Sequence, residues 1–444
     1  MILPEAFNIR TKEILGTEFS ELVEALETAA PTSVRVNNKL ENYQPSAEQV
    51  AWCESGYYLK ERPLFTADPF LHAGVYYVQE ASSMFLYQAV KQHFPEAKTV
   101  LDLCAAPGGK STLLSQSLPE SSLLVSNEII RSRAHILAEN LIKWGNPNIA
   151  VTNNDPKDFA NLPGFFDAIV VDAPCSGEGM FRKDPGAIQE WSEYNVKLCA
   201  ERQRAILSSV WDALKTDGIL VYSTCTYNRE ENEDNVRWIC EELGAELLTI
   251  NTESNPNITI SDYGYRFYPH KTKGEGFFLS VLRKNSLVHG SLKNKKDDKK
   301  GIKFVTNQNI KMFELQEPER WAIVPENNLI KAYDKNRLAD FLIINKQLKC
   351  MHSGIQLGEM KGSDFIPATS IALSKKLDKT SVEIIDVDYE TAIAFLRKDA
   401  IFLPDAARGY LLISYKEMPL GWVKNMGNRS NNLYPQEWRI RMKI

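Results

Sequence analysis

The sequence predicts a doubly wound α/β fold in its middle third, preceded by a small mixed segment and followed by a β-rich tail. Between residues 97 and 285, short apolar runs alternate with segments of helical spacing. The runs are continuous rather than alternating, as strands buried on both faces of a parallel sheet must be. After the first of them comes a loop of small residues with two glycines, where such sheets open to ligands.

The elements follow in order. PEAFNIRTKEIL and EFSELVEALE have helical spacing and TSVRVN reads as a strand, which gives a mixed α+β N-terminal domain over 1–75. The central domain is placed at 76–285. Its strands are TVLDLC, SLLVSNE, NIAVTNND, FDAIVVDAPC and GILVYSTC, with AELLTI and GFFLSVLRK closing the sheet. Its helices begin at Lys110 and continue as RSRAHILAENLIKW, NVKLCAERQRAILSSVWDAL and REENEDNVRWICEEL. The polar, Lys-rich stretch 286–303 is the expected linker. Beyond it, 304–444 reads as shorter strands and turns.

A chain of 444 residues has room for about two to four domains. Hydrophobic residues at 43% and charged residues at 25% exclude disorder over the whole length. No apolar run approaches the roughly 18 residues of a membrane span, and the first residues lack the order of a secretory signal. The seven cysteines are odd in number and none are three apart, so neither a zinc knuckle nor a disulfide framework is expected. A reducing cytoplasm, no bound metal and no membrane follow as expectations. Charge is uneven: from Ser286 onward 26 basic residues face 19 acidic ones, a net +7, whereas the first 285 residues carry 26 against 38, a net −12. A basic C-terminal region is suited to a polyanion.

The loop Ala105-Ala106-Pro107-Gly108-Gly109-Lys110-Ser111 admits two readings. GGKST resembles the end of a phosphate-binding P-loop, but the first glycine of that motif would fall on Cys104, and Pro107 sits inside the loop. The other reading is a nucleoside site, which needs an acid at the end of the second strand to hold ribose hydroxyls. Glu128 stands there, and Asp155 and Asp172 end the third and fourth strands. Each acid alone reads equally as a helix cap; together with the glycine loop they favour a dinucleotide or S-adenosylmethionine. Two cysteines add to this. Cys175 and Cys225 follow the fourth and fifth strands in turns rich in Pro, Gly, Ser and Thr, where packing does not call for an apolar residue. A thiolate adding to carbon 6 of a pyrimidine makes carbon 5 nucleophilic enough to accept a methyl group.

DLCAAPGGKST, VVDAPCSGEGMFRKDP and YSTCTYNREENEDNV resemble motifs I, IV and VI of the RNA 5-methylcytosine methyltransferases of the Nol1/Nop2/Sun family, in order and at strand ends. GVYYVQEASSM resembles the segment that precedes motif I. IQLGEMKGSDFIP and PLGWVKNMGNRSNNLYP resemble the C-terminal region of its RsmF/YebU-type 16S ribosomal RNA subgroup. The resemblance implies a Rossmann-like class I methyltransferase domain, an N-terminal RNA-binding domain and a C-terminal PUA-like, mainly β RNA-binding region. It implies S-adenosylmethionine held by Cys104, Ala105, Ala106, Pro107, Gly108, Gly109 and Lys110, with Glu128 on the ribose, Asp155 by the adenine and Asp172 between the methionine end and the target base. Cys225 is implied as the nucleophile and Cys175 as the thiol that assists release; the DNA enzymes place the nucleophile in the PC motif, and spacing alone does not choose. The expected partner is RNA, most of all 16S rRNA or the 30S subunit, and the chain is expected to be a monomer. Arg182 and Lys183 read either as phosphate contacts beside the target base or as a solvated pair. In the tail, Lys424, Arg429, Arg439, Arg441 and Lys443 interleave with Trp422, Tyr434 and Trp438, a pattern suited to phosphates and unstacked bases unless the rings are core, the reading favoured for Trp422.

Overall fold

The computed structural model describes residues 1–40, 43–292 and 312–442. Its centre is a sheet ordered Thr259–Ser261, Gly264–Phe267, Phe277–Lys284, Leu214–Thr224, Phe166–Asp172, Thr99–Asp102, Leu123–Asn127, Ile149–Thr152 and Cys350–Ser353, with Ala245–Leu248 pairing Phe277–Lys284 off this path. The five strands from Leu214–Thr224 to Ile149–Thr152 run parallel. Their residues are buried on both sides, as the continuous apolar runs require. Chain order reverses between Thr99–Asp102 and Phe166–Asp172, and the crevice of a doubly wound sheet opens at such a switch.

Helices Gly109–Ser117, Arg131–Trp144, Glu193–Val210 and Glu233–Leu243 cover the sheet. The expected helix through Leu214 ends at Val210, because the strand begins at Leu214 and pairs Phe166↔Leu214.

The N-terminal unit sets helices Glu5–Leu15 and Phe19–Leu26 before an antiparallel sheet ordered Glu48–Gln49, Gly56–Leu59, Thr32–Val36, Tyr76–Val78. Its last strand runs past the expected boundary at 75, since Val34↔Val78 pairing completes the sheet. The tail forms two more four-stranded sheets. One is Trp321–Glu326, Leu329–Asp334, Ile355–Lys361 and Asp364–Pro367; the other is Ile384–Asp386, Gly409–Tyr415, Met418–Asn425 and Ser430–Asn432.

The tail is not a separate body on a tether. Cys350–Ser353 adds to the edge of the central sheet beside Ile149–Thr152. Phe341, Ile344 and Leu348 share one buried cluster with Leu123, Val125 and Ala150. The last sheet packs on the first, where Phe395, Leu411 and Tyr434 meet Val34, Val36 and Tyr76. Of the Lys-rich linker, 293–303 lies outside the described residues. Among the described residues no helix is long and apolar enough to cross a membrane.

Candidate active site

The first crevice loop is shaped by backbone needs. Gly108 has φ +118°, which an L side chain rarely adopts, and it precedes the helix Gly109–Ser117. The loop is anchored from outside: Ala105 N donates to Asn127 O at 2.8 Å, Arg133 Nη2 to Ala106 O at 2.8 Å and Asn140 Nδ2 to Pro107 O at 2.8 Å. Cys104 is half-buried, and burial first, then the Asp102 carboxyl, push its thiol well above the ordinary range.

Asp102, at the end of the first strand, was not singled out by sequence, although it stands in DLC. It is fully buried; Ser111 Oγ donates to its Oδ2 at 2.6 Å, while Oδ1 has no partner among the described residues. Burial raises its carboxyl to about 7, against the pull of Ser111 and Lys110. Glu128 is buried at the next strand end, with Oε1 accepting from Ile130 N at 2.9 Å and Oε2 at 3.4 Å from Arg133 Nη1. Asp155 caps the turn Pro156–Asn161 in a reciprocal box with Asp158 and accepts from Lys157 N at 3.1 Å. Asp172 accepts from Lys110 Nζ at 2.7 Å and Ser223 Oγ at 2.8 Å. Burial works to lower the Lys110 ammonium, but the Asp172 carboxylate outweighs it and keeps the cation charged.

The register Asp172↔Ser223 brings the two cysteine turns side by side. Cys175 Sγ lies 3.0 Å from Cys225 Sγ, and Cys225 N donates to Cys175 Sγ at 3.4 Å. Both are free thiols and half-buried. The hydrogen bond to Cys225 and then burial push the Cys175 thiol up, so it keeps its proton.

A reciprocal pair of buried carboxylates holds these turns. Glu178, from the Cys175 turn, accepts from Thr226 Oγ1 at 2.7 Å, Tyr227 N at 2.7 Å, Asn228 N at 2.9 Å and Trp191 Nε1 at 2.9 Å. Glu231, from the Cys225 turn, accepts from Ser176 N at 3.0 Å and Gln203 Nε2 at 2.7 Å. Asn228 Nδ2 donates to Glu231 Oε1 at 2.7 Å and Glu178 Oε1 at 3.3 Å, joining the halves. Neither acid carries a sequence signal: Glu178 stands between two glycines and Glu231 in the polar run Asn228-Arg229-Glu230-Glu231-Asn232, and both patterns read as solvated.

Arg182 is not left free for phosphates. Its Nε donates to Glu275 Oε2 at 2.9 Å and its Nη2 to Gly274 O at 2.6 Å, and its side chain is 5% exposed. Lys183 Nζ is 3.4 Å from Glu275 Oε1. In the tail, Trp422 and Tyr434 are core residues at 1% and 0% exposure, and Trp438 packs at the edge of the cluster that holds Tyr434, so the rings are not a row of free stacking platforms.

Comparison with known proteins identifies each of the three domains. Residues 91–283 match the family described as 16S rRNA methyltransferase RsmB/F. Residues 3–81 match the N-terminal domain of 16S rRNA methyltransferase RsmF, and residues 382–440 the methyltransferase RsmF PUA domain. The chain is 30% identical to the ribosomal RNA small subunit methyltransferase F of Aliivibrio salmonicida, covering 98% of each chain. It is 28% identical to that of Escherichia coli O157:H7, covering 98% of this chain and 96% of the other. A methyltransferase homolog from Pyrococcus horikoshii, solved by crystallography, superposes with a TM-score of 0.53 at 28% identity, over 63% of this chain and 95% of that one. The matches to all three domains and the full-length likeness to the small subunit methyltransferases F place this chain in the RsmB/F family, as an S-adenosylmethionine-dependent RNA 5-methylcytosine methyltransferase with RsmF-type flanking domains.

Proposed function

We propose that the chain methylates carbon 5 of cytosine in 16S ribosomal RNA through a covalent bond between Cys225 and carbon 6, with Cys175 assisting release. The observation that carries this is the 3.0 Å approach of two free thiols beside the Lys110–Asp172 pair. A free thiol is only a few per cent ionised at neutral pH, so a nucleophile needs help. Lys110 supplies a buried cation that also feels the Cys225 sulfur. Cys175, kept protonated, can donate to that sulfur as it leaves carbon 6.

Bound S-adenosylmethionine supplies an electrophilic methyl group. Gly108, at φ +118° and with Leu137 Cδ1 only 3.3 Å from where its Cβ would stand, lets the loop turn tightly against the helix Arg131–Trp144; Glu128 would accept from the ribose hydroxyls, and the unpartnered Asp102 Oδ1 would offer a further buried acceptor. Asp155, part-exposed beside its cap, would border the adenine. Asp172 holds Lys110 with one oxygen and Ser223 with the other, leaving lone pairs for the amine of the target base. Addition of Cys225 to carbon 6 makes carbon 5 a nucleophile, which takes the methyl group. The carbon 5 proton then passes to water, the electron pair of that C–H bond re-forms the carbon 5–carbon 6 double bond, and Cys225 leaves as a thiolate that the protonated Cys175 stabilises. The chain works as a monomer in the cytoplasm.

One denaturing gel with three variants tests the thiols. Cys225→Ala should neither methylate nor trap RNA. Cys175→Ala should attack and transfer the methyl group, then stall as a nuclease-sensitive species of reduced mobility that requires RNA and S-adenosylmethionine. The double variant should lose that species. Trapping by Cys225→Ala would reverse the two roles, and full activity of both single variants would reduce the thiols to packing. Bisulfite sequencing of total RNA from a deletion strain checks the substrate: an unchanged 16S pattern would refute it.

A further inference from the structure

Where the N-terminal sheet, the helix Arg131–Trp144 and the C-terminal tail meet, the molecule leaves a cleft of about 500 Å³. Its walls include Tyr77, Lys143, Trp144, Trp438, Arg439 and Arg441. We infer that this cleft holds a single-stranded nucleotide of the RNA that flanks the target cytosine. The inference rests on the reading of the chain as an RNA methyltransferase and assigns a specific place to part of its substrate.

Three observations converge on that ligand. The first is charge. Lys143 is neutralised by Glu139 at 2.6 Å, but Arg439 and Arg441 are exposed and have no acidic partner among the described residues. Two uncompensated guanidinium groups on one rim suit phosphate oxygens, which they can grip in pairs. The second is an unmet hydrogen bond. Trp144 is 1% exposed and lines the cleft, yet its indole N–H has no acceptor among the described residues. An unpaired buried donor is costly, so a base carbonyl that reached it through a small shift of the ring would be held there. The third is the ring surface. Trp438 is part-exposed, and Lys143 Nζ stands 5.4 Å from its ring centroid, which fixes the indole as a wall. A preset aromatic face is what an unstacked base needs, and it accepts any base.

The cleft also adjoins the donor loop. A Cβ built on Gly109 would lie 3.4 Å from Tyr77 Cε1, and Asn140, another lining residue, donates to Pro107 O at 2.8 Å. An RNA chain seated here lies against the walls of the loop. A free nucleotide would gain nothing from that adjacency, whereas a strand that also enters the catalytic crevice would.

The test uses the full-length protein and a single-stranded 16S rRNA fragment, with anisotropy measured against salt. Arg439→Ala/Arg441→Ala should lose about tenfold or more in affinity, and the slope of log affinity against log salt should flatten by about 1.4, at roughly 0.7 per phosphate on a single strand. Trp438→Ala should lose about tenfold, and Trp438→Phe should recover most of it because the stacking face is kept. Lys335→Ala/Lys361→Ala, which removes equal charge from exposed positions outside the cleft, should change affinity less than threefold. Affinity for S-adenosylmethionine should stay within twofold throughout, which guards against misfolding. Normal RNA binding by the cleft variants, or a loss no larger than in the Lys335/Lys361 control, overturns the inference while wild-type methylation of RNA stands. Absence of methylation by the wild type would overturn the enzymatic reading instead.

Discussion

Around Cys175 and Cys225 the carboxylates of Glu178 and Glu231 are buried and spent on donors of the chain itself, whereas after Met418 Trp422 and Tyr434 are buried and the arginines stand in solvent. The two regions divide the work. A thiol pair must be held to a fraction of an ångström, so its turns are cross-tied by Glu178, Glu231 and Asn228, whose bonds are strong because they are dry. A grip on RNA works over the Debye length of about 10 Å and tolerates motion. It needs charge at the surface, and the rings beneath need only hold the surface still.

The largest effect expected from this contrast is at Glu178. Glu178→Ala leaves the Thr226 hydroxyl, two backbone N–H groups and the Trp191 indole without an acceptor. Unfolding free energy should fall by about 4 kcal/mol, with loss of methyl transfer in single-turnover assays. A drop under about 1 kcal/mol would mean that the turns hold without their brace. Asp102 comes next. Its carboxyl is raised to about 7 by burial, so the folded chain keeps a proton that the unfolded chain gives up near pH 4. That stabilisation is complete below pH 4 and is lost as the pH rises through 7. Asp102→Asn should therefore gain stability relative to wild type between pH 5.5 and pH 8.5, about 2 kcal/mol, read from urea midpoints. Equal pH slopes in the two proteins would remove the titration. Glu128→Ala should weaken S-adenosylmethionine binding by about 2 kcal/mol, or more than tenfold, without unfolding the domain; an unchanged calorimetric dissociation constant would make Glu128 only the anchor of Ile130. The smallest effect belongs to Asp155. Asp155→Ala should cost about 1 kcal/mol in thermal unfolding through the lost cap. Asp155→Asn keeps the cap, so a loss of donor affinity in that variant isolates the adenine contact.

Much of this was legible in the sequence. The parallel strands announced themselves as unbroken apolar runs, and the glycine loop and both thiols stand at strand ends where a doubly wound sheet presents its ligands. What sequence missed is long-range and polar. CMHS, at 350–353, has no strand signature, and only its pairing with Ile149–Thr152 makes it one. Arg182 looked free because Glu275, which buries it, lies far along the chain. Tyr434 in a basic stretch read as a base platform, although Phe395 and Trp438 enclose it. Composition shows the Lys-rich stretch but not the strand that returns to the central sheet beyond it.

That returning strand ties catalysis to the order of synthesis. Domains fold as units, in general from the N-terminus while the chain is being made. Here Ile149–Thr152 emerges early and waits for Cys350–Ser353 to close its flank. Until then the nascent chain presents an open edge, which invites pairing with other chains. A ribosome that stops before residue 350 releases a chain with the glycine loop and both cysteine turns in place and the central sheet unfinished, so premature termination ahead of that strand is a fault of the catalytic domain.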